Sequence, residues 1–226
     1  MSDAHRPPSA PSSEALIVLA ARNPSTRPGF VDRALVAAQI GKLEPVICIN
    51  KVDLDPDHGF RDLADTYRRL GYRIALASAV TGEGMDDLRA IFSDRVSVLV
   101  GQSGVGKSSI LNYLDPDLGI ATGELMRRHD RGRHTTSAVQ LHPLAFGGYV
   151  ADTPGIKQLK PWGLDRASLV RYFVEMAPLA DQCRFRDCLH RDEPGCAIIE
   201  AVDRGDIAPA RYDGFRRIEA SLGDRH

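Results

Sequence analysis

The sequence predicts an α/β fold with a mainly parallel sheet covered on both faces, and three observations carry that prediction. Short apolar runs alternate with amphipathic stretches from residue 15 to about 155. A glycine-rich loop falls directly after one of the apolar runs. After Pro161 the strand signal stops and only helical spacing remains. Strands that alternate with helices are buried on both faces and joined by crossovers, which is the rhythm of a layered parallel sheet.

In chain order, Leu16–Leu19, Val46–Ile49, Ile74–Leu76, Val96–Val100, Ala138–Leu144 and Gly148–Ala151 read as strands. Helical spacing appears in Val31–Gln39, Asp62–Leu70, Asp86–Phe92 and Ser108–Leu114. Beyond Pro161 the sequence predicts one helix from Asp165 to Met176, a cysteine cluster, and two more helical stretches, Ala197–Asp203 and Arg211–Leu222. The change of texture places a boundary between Gly155 and Gly163. Residues 1–14, rich in proline and serine, read as a disordered tail. Residues 15–160 form the sheet domain, and residues 161–226 a small, mainly helical domain.

With 43% apolar and 26% charged residues the 226-residue chain lies in the globular range, which excludes wholesale disorder and fibrous architectures. Its 29 basic and 30 acidic residues leave a charge of -1, so nucleic-acid binding has to come from a local patch. The longest fully apolar run, Ala15 to Ala21, is far shorter than the roughly 20 residues a membrane helix needs. The tail lacks the charged start and apolar block of a signal peptide. Three of the four cysteines crowd between Cys183 and Cys196 beside a histidine, a pattern that suits metal better than disulfides and implies a reducing cytoplasm.

In parallel sheets ligands gather at the carboxyl ends of strands, so the residues after each apolar run are the informative ones. After Val96–Val100 come Gly101, Gln102, Ser103, Gly104, Val105, Gly106, Lys107, Ser108 and Ser109. The glycines permit a turn whose backbone N–H groups face one anion, and the following helix adds its positive end. Lys107 then reaches the β and γ phosphates, and Ser108 offers its hydroxyl to Mg²⁺. Asp152-Thr-Pro-Gly155 ends a later strand: the carboxylate can hold Mg²⁺ through water, and the Gly155 N–H can bond a γ phosphate. Between these lies Arg131-Gly-Arg-His134-Thr135-Thr136, where Thr136, or else Thr135, supplies a second hydroxyl to the metal. Arg127, Arg128, Arg131 and Arg133 make the same loop a basic, RNA-facing candidate.

Base identity falls to Asn50-Lys51-Val52-Asp53, after the strand Val46–Ile49. An aspartate in the base plane accepts from both N1–H and the exocyclic amine of guanine, a donor pair that adenine lacks. Asn50 braces neighbouring loops, the Lys51 stem lies across the base, and Ser78-Ala79 offers a backbone N–H to the guanine oxygen. The ligand set is therefore GTP or GDP with Mg²⁺. The motifs run base site, Ser-Ala, phosphate loop, threonine loop, Asp-Thr-Pro-Gly, so the fold is a three-layer P-loop GTPase fold in circularly permuted order. After Gly155 stands Ile156, where many GTPases carry a water-orienting glutamine. Another group must orient the water, with His134 the candidate, and the expectation is slow hydrolysis that a partner stimulates.

Cys183, Cys188, His190 and Cys196 follow the spacing C-x₄-C-x-H-x₅-C. Three thiolates and an imidazole suit a closed, structural tetrahedral Zn²⁺. Cys48, within an apolar run, reads as an inert core residue.

These motifs together resemble the ribosome small-subunit-dependent GTPase A family of circularly permuted GTPases. The likeness runs from about Ala15 to Leu222 and includes Gln182 through His190 and Glu193-Pro-Gly-Cys196. It implies GTP hydrolysis stimulated by the small ribosomal subunit during late assembly, with Mg²⁺ at the nucleotide and one structural zinc. It also implies contact with ribosomal RNA. Together with the absence of a membrane-length apolar run and the reduced cysteines, it sets the expectation of a cytoplasmic protein with no membrane partner that acts as a monomer. Members usually begin with an oligonucleotide-binding β-barrel, a nucleic-acid platform, whereas only the Pro/Ser-rich stretch precedes Leu16 here. The competing reading is a shortened GTP-dependent RNA- or protein-binding switch with vestigial hydrolysis.

Overall fold

A computed structural model describes residues 12–27, 29–120, 140–152 and 164–222. Six strands form one sheet: β1 (Ser13–Ala20), β2 (Glu44–Asn50), β3 (Arg73–Leu76), β4 (Val96–Gly101), β5 (Gln140–Pro143) and β6 (Tyr149–Asp152). Their spatial order is β3-β2-β1-β4-β6-β5, and every neighbouring pair is parallel except β5 with β6. β1 begins two residues before the expected start of the core: Ser13 and Glu14 already pair with Val96 and Ser97 of β4. Pairing with β4, and for Glu14 with Glu44 of β2 as well, recruits these two polar residues out of the expected tail.

Side-chain alternation builds the layers. Leu16 and Val18 of β1, with Val46 and Cys48 of β2, pack against α3 (Met85–Phe92) and α4 (Lys107–Leu114). Ile17 and Leu19, with Ile47 and Ile49, pack on the opposite face against α1 (Phe30–Ile40) and α2 (Arg61–Arg69). Burial pushes the Cys48 thiol up to about 12, which keeps it protonated and inert. The chain runs from β1 outward to β3 and then returns to β4 on the other side of β1. That reversal opens a crevice at the carboxyl ends of β1 and β4, where parallel sheets bind ligands.

The C-terminal unit is α5 (Arg166–Leu169), α6 (Ala197–Asp203) and α7 (Pro209–Ser221) with short single-turn helices between them. The single helix expected from Asp165 to Met176 is not formed. Asp165 caps α5 by accepting from the Ser168 N–H at 2.7 Å, a 3₁₀ turn covers Val170–Tyr172, and Phe173 is extended. This break lets Phe173 and Met176 enter a third core with Phe215 and Ile218, so packing overrides the helical spacing. Val36 of α1 belongs to that core as well, which seats the C-terminal unit on α1. No described helix is long and apolar enough to cross a membrane.

Candidate nucleotide site and metal centre

The phosphate loop follows β4 and ends on α4. Gly101 pairs with Val18, and a Cβ there would stand 2.6 Å from the Val18 carbonyl, so the loop leaves the sheet only through glycine. Gly106 has φ +99°, and a Cβ there would meet Asn50 Nδ2 at 2.2 Å. Inside the loop, Lys107 Nζ donates to the carbonyls of Gly101 and Gln102, both at 2.8 Å. Burial lowers its pKa, the signature of a desolvated ammonium that an anion would relieve. Ser103 and Gly104 are exposed, Val105 is buried under the loop, and Ser108 and Ser109 occupy the first turn of α4.

The base motif is locked to that loop. Asn50 is buried at the end of β2; its Nδ2 donates to the Val105 carbonyl at 2.9 Å, and its Oδ1 accepts from the Ala79 N–H at 3.3 Å. One side chain thus joins three loops. Lys51, in the left-handed region at φ 64°, donates through Nζ to the carbonyls of Gly104 (2.7 Å) and Asn23 (2.6 Å). Asp53 is exposed in the turn Val52–Leu54. Ser78 is fully buried and its Oγ accepts from the N–H groups of Val80 and Thr81, which fixes the Ser78-Ala79 loop beside Asn50.

Asp152 closes β6, parallel to β4 and on the same side of the sheet as the phosphate loop. His134, Thr135, Thr136 and Gly155 lie outside the described residues, as do the basic loop around them and the expected domain boundary. The structure thus brings together Asn50, Lys51, Ser78, Ala79 and the stretch Gly101 to Ser109.

Cys183, Cys188, His190 and Cys196 put their ligand atoms within 4.8 Å of one another. His190 Nδ1 lies 3.5 Å from Cys183 Sγ and 3.4 Å from Cys196 Sγ. Zn–S near 2.3 Å and Zn–N near 2.0 Å give a tetrahedral N···S edge of about 3.5 Å, so the donor set fits this ion. Burial raises the thiol pKa of Cys188 to about 12, raises that of Cys196, and lowers that of His190. A neutral imidazole is the ligand form, and a central cation would convert the thiols to thiolates. Glu193 shapes the loop by accepting from the N–H groups of Leu189 (2.9 Å) and Arg191 (2.7 Å). Those backbone donors outweigh burial and hold its carboxyl down at about 2.

Sequence reasoning missed two features. The first is the loop after β1, where Asn23 meets Lys51 and Arg22 Nε pairs with buried Asp55 at 2.9 Å. The strand-end rule applied to β1 would have found it. The second is a buried charge cluster in which Arg211 of α7 meets Asp32 of α1 and Glu175, while Tyr67 of α2 donates to Asp32 at 2.6 Å. Burial opposes the Arg211 charge, but its hydrogen bonds to Glu175 and the attraction of Asp32 raise its pKa above the usual range. No sequence signal links residues so far apart.

A phosphate loop after β4, a guanine motif after β2 and their mutual hydrogen bonds define a P-loop GTPase entered at an unusual point of its sheet. The family described as RsgA GTPase matches residues 5–162. The small ribosomal subunit biogenesis GTPase RsgA of Caldanaerobacter subterraneus is 45% identical over 210 residues, covering 93% of this chain and 71% of the relative. That of Chromohalobacter salexigens is 42% identical over 222 residues, covering 97% of this chain and 65% of the relative. Among solved structures, YjeQ from Thermotoga maritima superposes with a TM-score of 0.78 at 36% identity, covering 95% of this chain and 73% of that one. YloQ, described as a circularly permuted GTPase, gives 0.76 at 32% identity, covering 95% and 69%. The chain belongs to the RsgA GTPase family.

Proposed function

We propose that the protein binds and hydrolyses GTP in late maturation of the small ribosomal subunit, with hydrolysis stimulated by that subunit. The observation that carries the nucleotide reading is the double tie between base motif and phosphate loop, Asn50 to Val105 and Lys51 to Gly104. It fixes the distance between the two ends of one nucleotide before that nucleotide binds. The maturation role is supported by the relatives' names.

In this reading Asp53 accepts from the guanine edge, the Lys51 stem covers the base, and the phosphate-loop N–H groups with Lys107 hold the β and γ phosphates. Ala79 N–H, held by Asn50 through a long bond, turns to the guanine oxygen. Ser108, Asp152 and Thr136, or Thr135 in its place, would hold Mg²⁺. When bound, that ion would neutralise charge on the β and γ phosphates. Gly155 N–H bonds the γ phosphate and His134 orients the attacking water. Cys183, Cys188, His190 and Cys196 hold one structural zinc. Exposed Phe185, flanked by exposed Arg184 and Arg186 on the zinc loop, supports a surface that meets ribosomal RNA through stacking and phosphate contacts. The protein acts as a cytoplasmic monomer, with residues 15–160 as GTPase domain and 161–226 as zinc domain.

The test is GTP turnover with and without purified small subunits. Turnover should be slow alone, rise by orders of magnitude with subunits, and vanish in Lys107→Ala. Unstimulated turnover in the native protein would reject the maturation role and favour a binding switch. Unchanged stimulated turnover in His134→Ala would remove that histidine from water positioning.

A further inference from the structure

The charge cluster between α1 and α7 contains none of the residues assigned to nucleotide or zinc, yet it stands on a set of contacts between the two sites. At the nucleotide end, Lys51 Nζ binds the carbonyls of Gly104 and Asn23, so one ammonium joins the phosphate loop to the loop after β1. Pro24 packs beside Gly104, its Cδ 3.7 Å from where a Cβ would stand. The same loop is held by Ala21 N–H to the Asn50 carbonyl at 2.8 Å and by Arg22 to Asp55. It leads into α1, whose first turn carries Asp32.

Asp32 is 4% exposed and Arg211, its partner on α7, is 3% exposed. Arg211 also donates through Nε to Glu175 at 2.6 Å and lies over the rings of Phe173 and Tyr67. Gly214, one turn further along α7, admits the Asp32 carboxylate where any side chain would collide with it. At the zinc end of α7, Tyr212 donates to the His190 carbonyl at 2.7 Å, and the Phe215 ring lies 6.0 Å from that of His190.

A buried carboxylate and a buried guanidinium that separate leave uncompensated charges behind, a far larger cost than losing a surface pair. The buried pair therefore ties the first turn of α1 to the first turn of α7. Given the guanine-nucleotide and zinc readings above, we propose that Arg211 is a positioning residue that couples the two sites: nucleotide held at Lys51 steadies the zinc loop through α1 and α7. Such coupling is reciprocal, so zinc occupancy sets nucleotide affinity by the same factor.

The test measures GDP affinity calorimetrically on the full chain, zinc-loaded and after chelation, with zinc content read separately by a metallochromic dye. Zinc removal should weaken GDP by about fivefold or more in the native protein. In Arg211→Met, which keeps the stem that covers Phe173, zinc should still be retained and that dependence should disappear. Equal GDP affinity with and without zinc in the native protein, or an undiminished dependence in Arg211→Met, overturns the proposal. A measurement on the native protein covers the case in which the variant does not fold. GDP should raise hydrogen-exchange protection of the Phe215 and Ile218 amides, and unchanged α7 protection overturns the coupling. Absence of any GDP heat in zinc-loaded protein is a different result, which rejects the nucleotide reading itself.

Discussion

Asp53 stands in a single-turn helix directly after Lys51, exposed at the end of β2, while Asn50 is buried and its amide is spent on two other loops. The proposed function divides the labour: Asn50 shapes the site, and Asp53 is assigned to read the base. Asp53→Asn should therefore weaken GDP by on the order of a hundredfold or more, because each charge-assisted bond contributes about 1.5–3 kcal/mol. Xanthosine diphosphate, which presents an oxygen where guanine has its amine, should gain affinity. Competition against a fluorescent guanine nucleotide checks both, and an unchanged order of preference would exclude Asp53 from base recognition. A second residue works at the opposite end of the sheet. Glu14 is fully buried; Ser97 Oγ donates to it at 2.8 Å, and the Arg95 guanidinium forms an ion pair with it at 3.7 Å. Burial raises its pKa despite both partners. A carboxyl whose folded pKa exceeds its unfolded value binds its proton more tightly when folded, so stability falls as pH rises from the ordinary glutamate range through the folded value. Glu14→Gln should flatten that dependence and raise the urea midpoint at neutral pH, by about 1 kcal/mol in stability. A lower midpoint would mean that Arg95 outweighs desolvation.

At the scale of elements, what the sequence makes legible depends on how local the cause is. Strands with alternating faces, such as Leu16–Leu19, and motifs on strand ends, such as Asn50 to Asp53 and Gly101 to Ser108, are written in short stretches and reappear in the sheet. The stretch Asp165 to Met176 carries helical spacing too, but Phe173 and Met176 are claimed by a core that also draws on distant Val36, Ile198, Phe215 and Ile218. The Asp32–Arg211 pair spans an even longer separation and leaves no local trace. The zinc loop lies between these cases. Its ligand spacing is local, whereas the Glu193 carboxylate that ties its backbone and the Tyr212 hydroxyl on His190 are visible only in the fold. Structural zinc contributes about 10–16 kcal/mol in isolated sites, comparable to the net stability of a whole domain. Cys188→Ser should accordingly lose the metal and open residues 164–222 to limited proteolysis. Protection equal to the native pattern would show that the third core holds these helices without zinc.

At the scale of the molecule, α1 is the shared wall. Val31, Ala34 and Leu35 face the sheet, whereas Val36 faces the C-terminal core and Asp32 receives Arg211. Removing the C-terminal unit would strip one side of a helix that the sheet needs on the other, so sheet and zinc unit should unfold in one transition. A ligand that binds only the folded state stabilises by about 2.7 kcal/mol at a concentration 100 times its Kd. For a chain of this size each kcal/mol moves the midpoint by about 2–4 °C, so saturating GDP should raise the whole transition by about 5–11 °C. ATP at the same concentration should leave it in place, because adenine offers Asp53 no donor pair. Differential scanning calorimetry on zinc-loaded protein separates the possibilities. If only an early transition moves with GDP while a later one stays fixed, the shared wall transmits nothing and the two units unfold independently. If the single peak moves as a whole, the burial of Val36, Asp32 and Arg211 is enough to make nucleotide binding at one end a stabiliser of zinc ligands at the other.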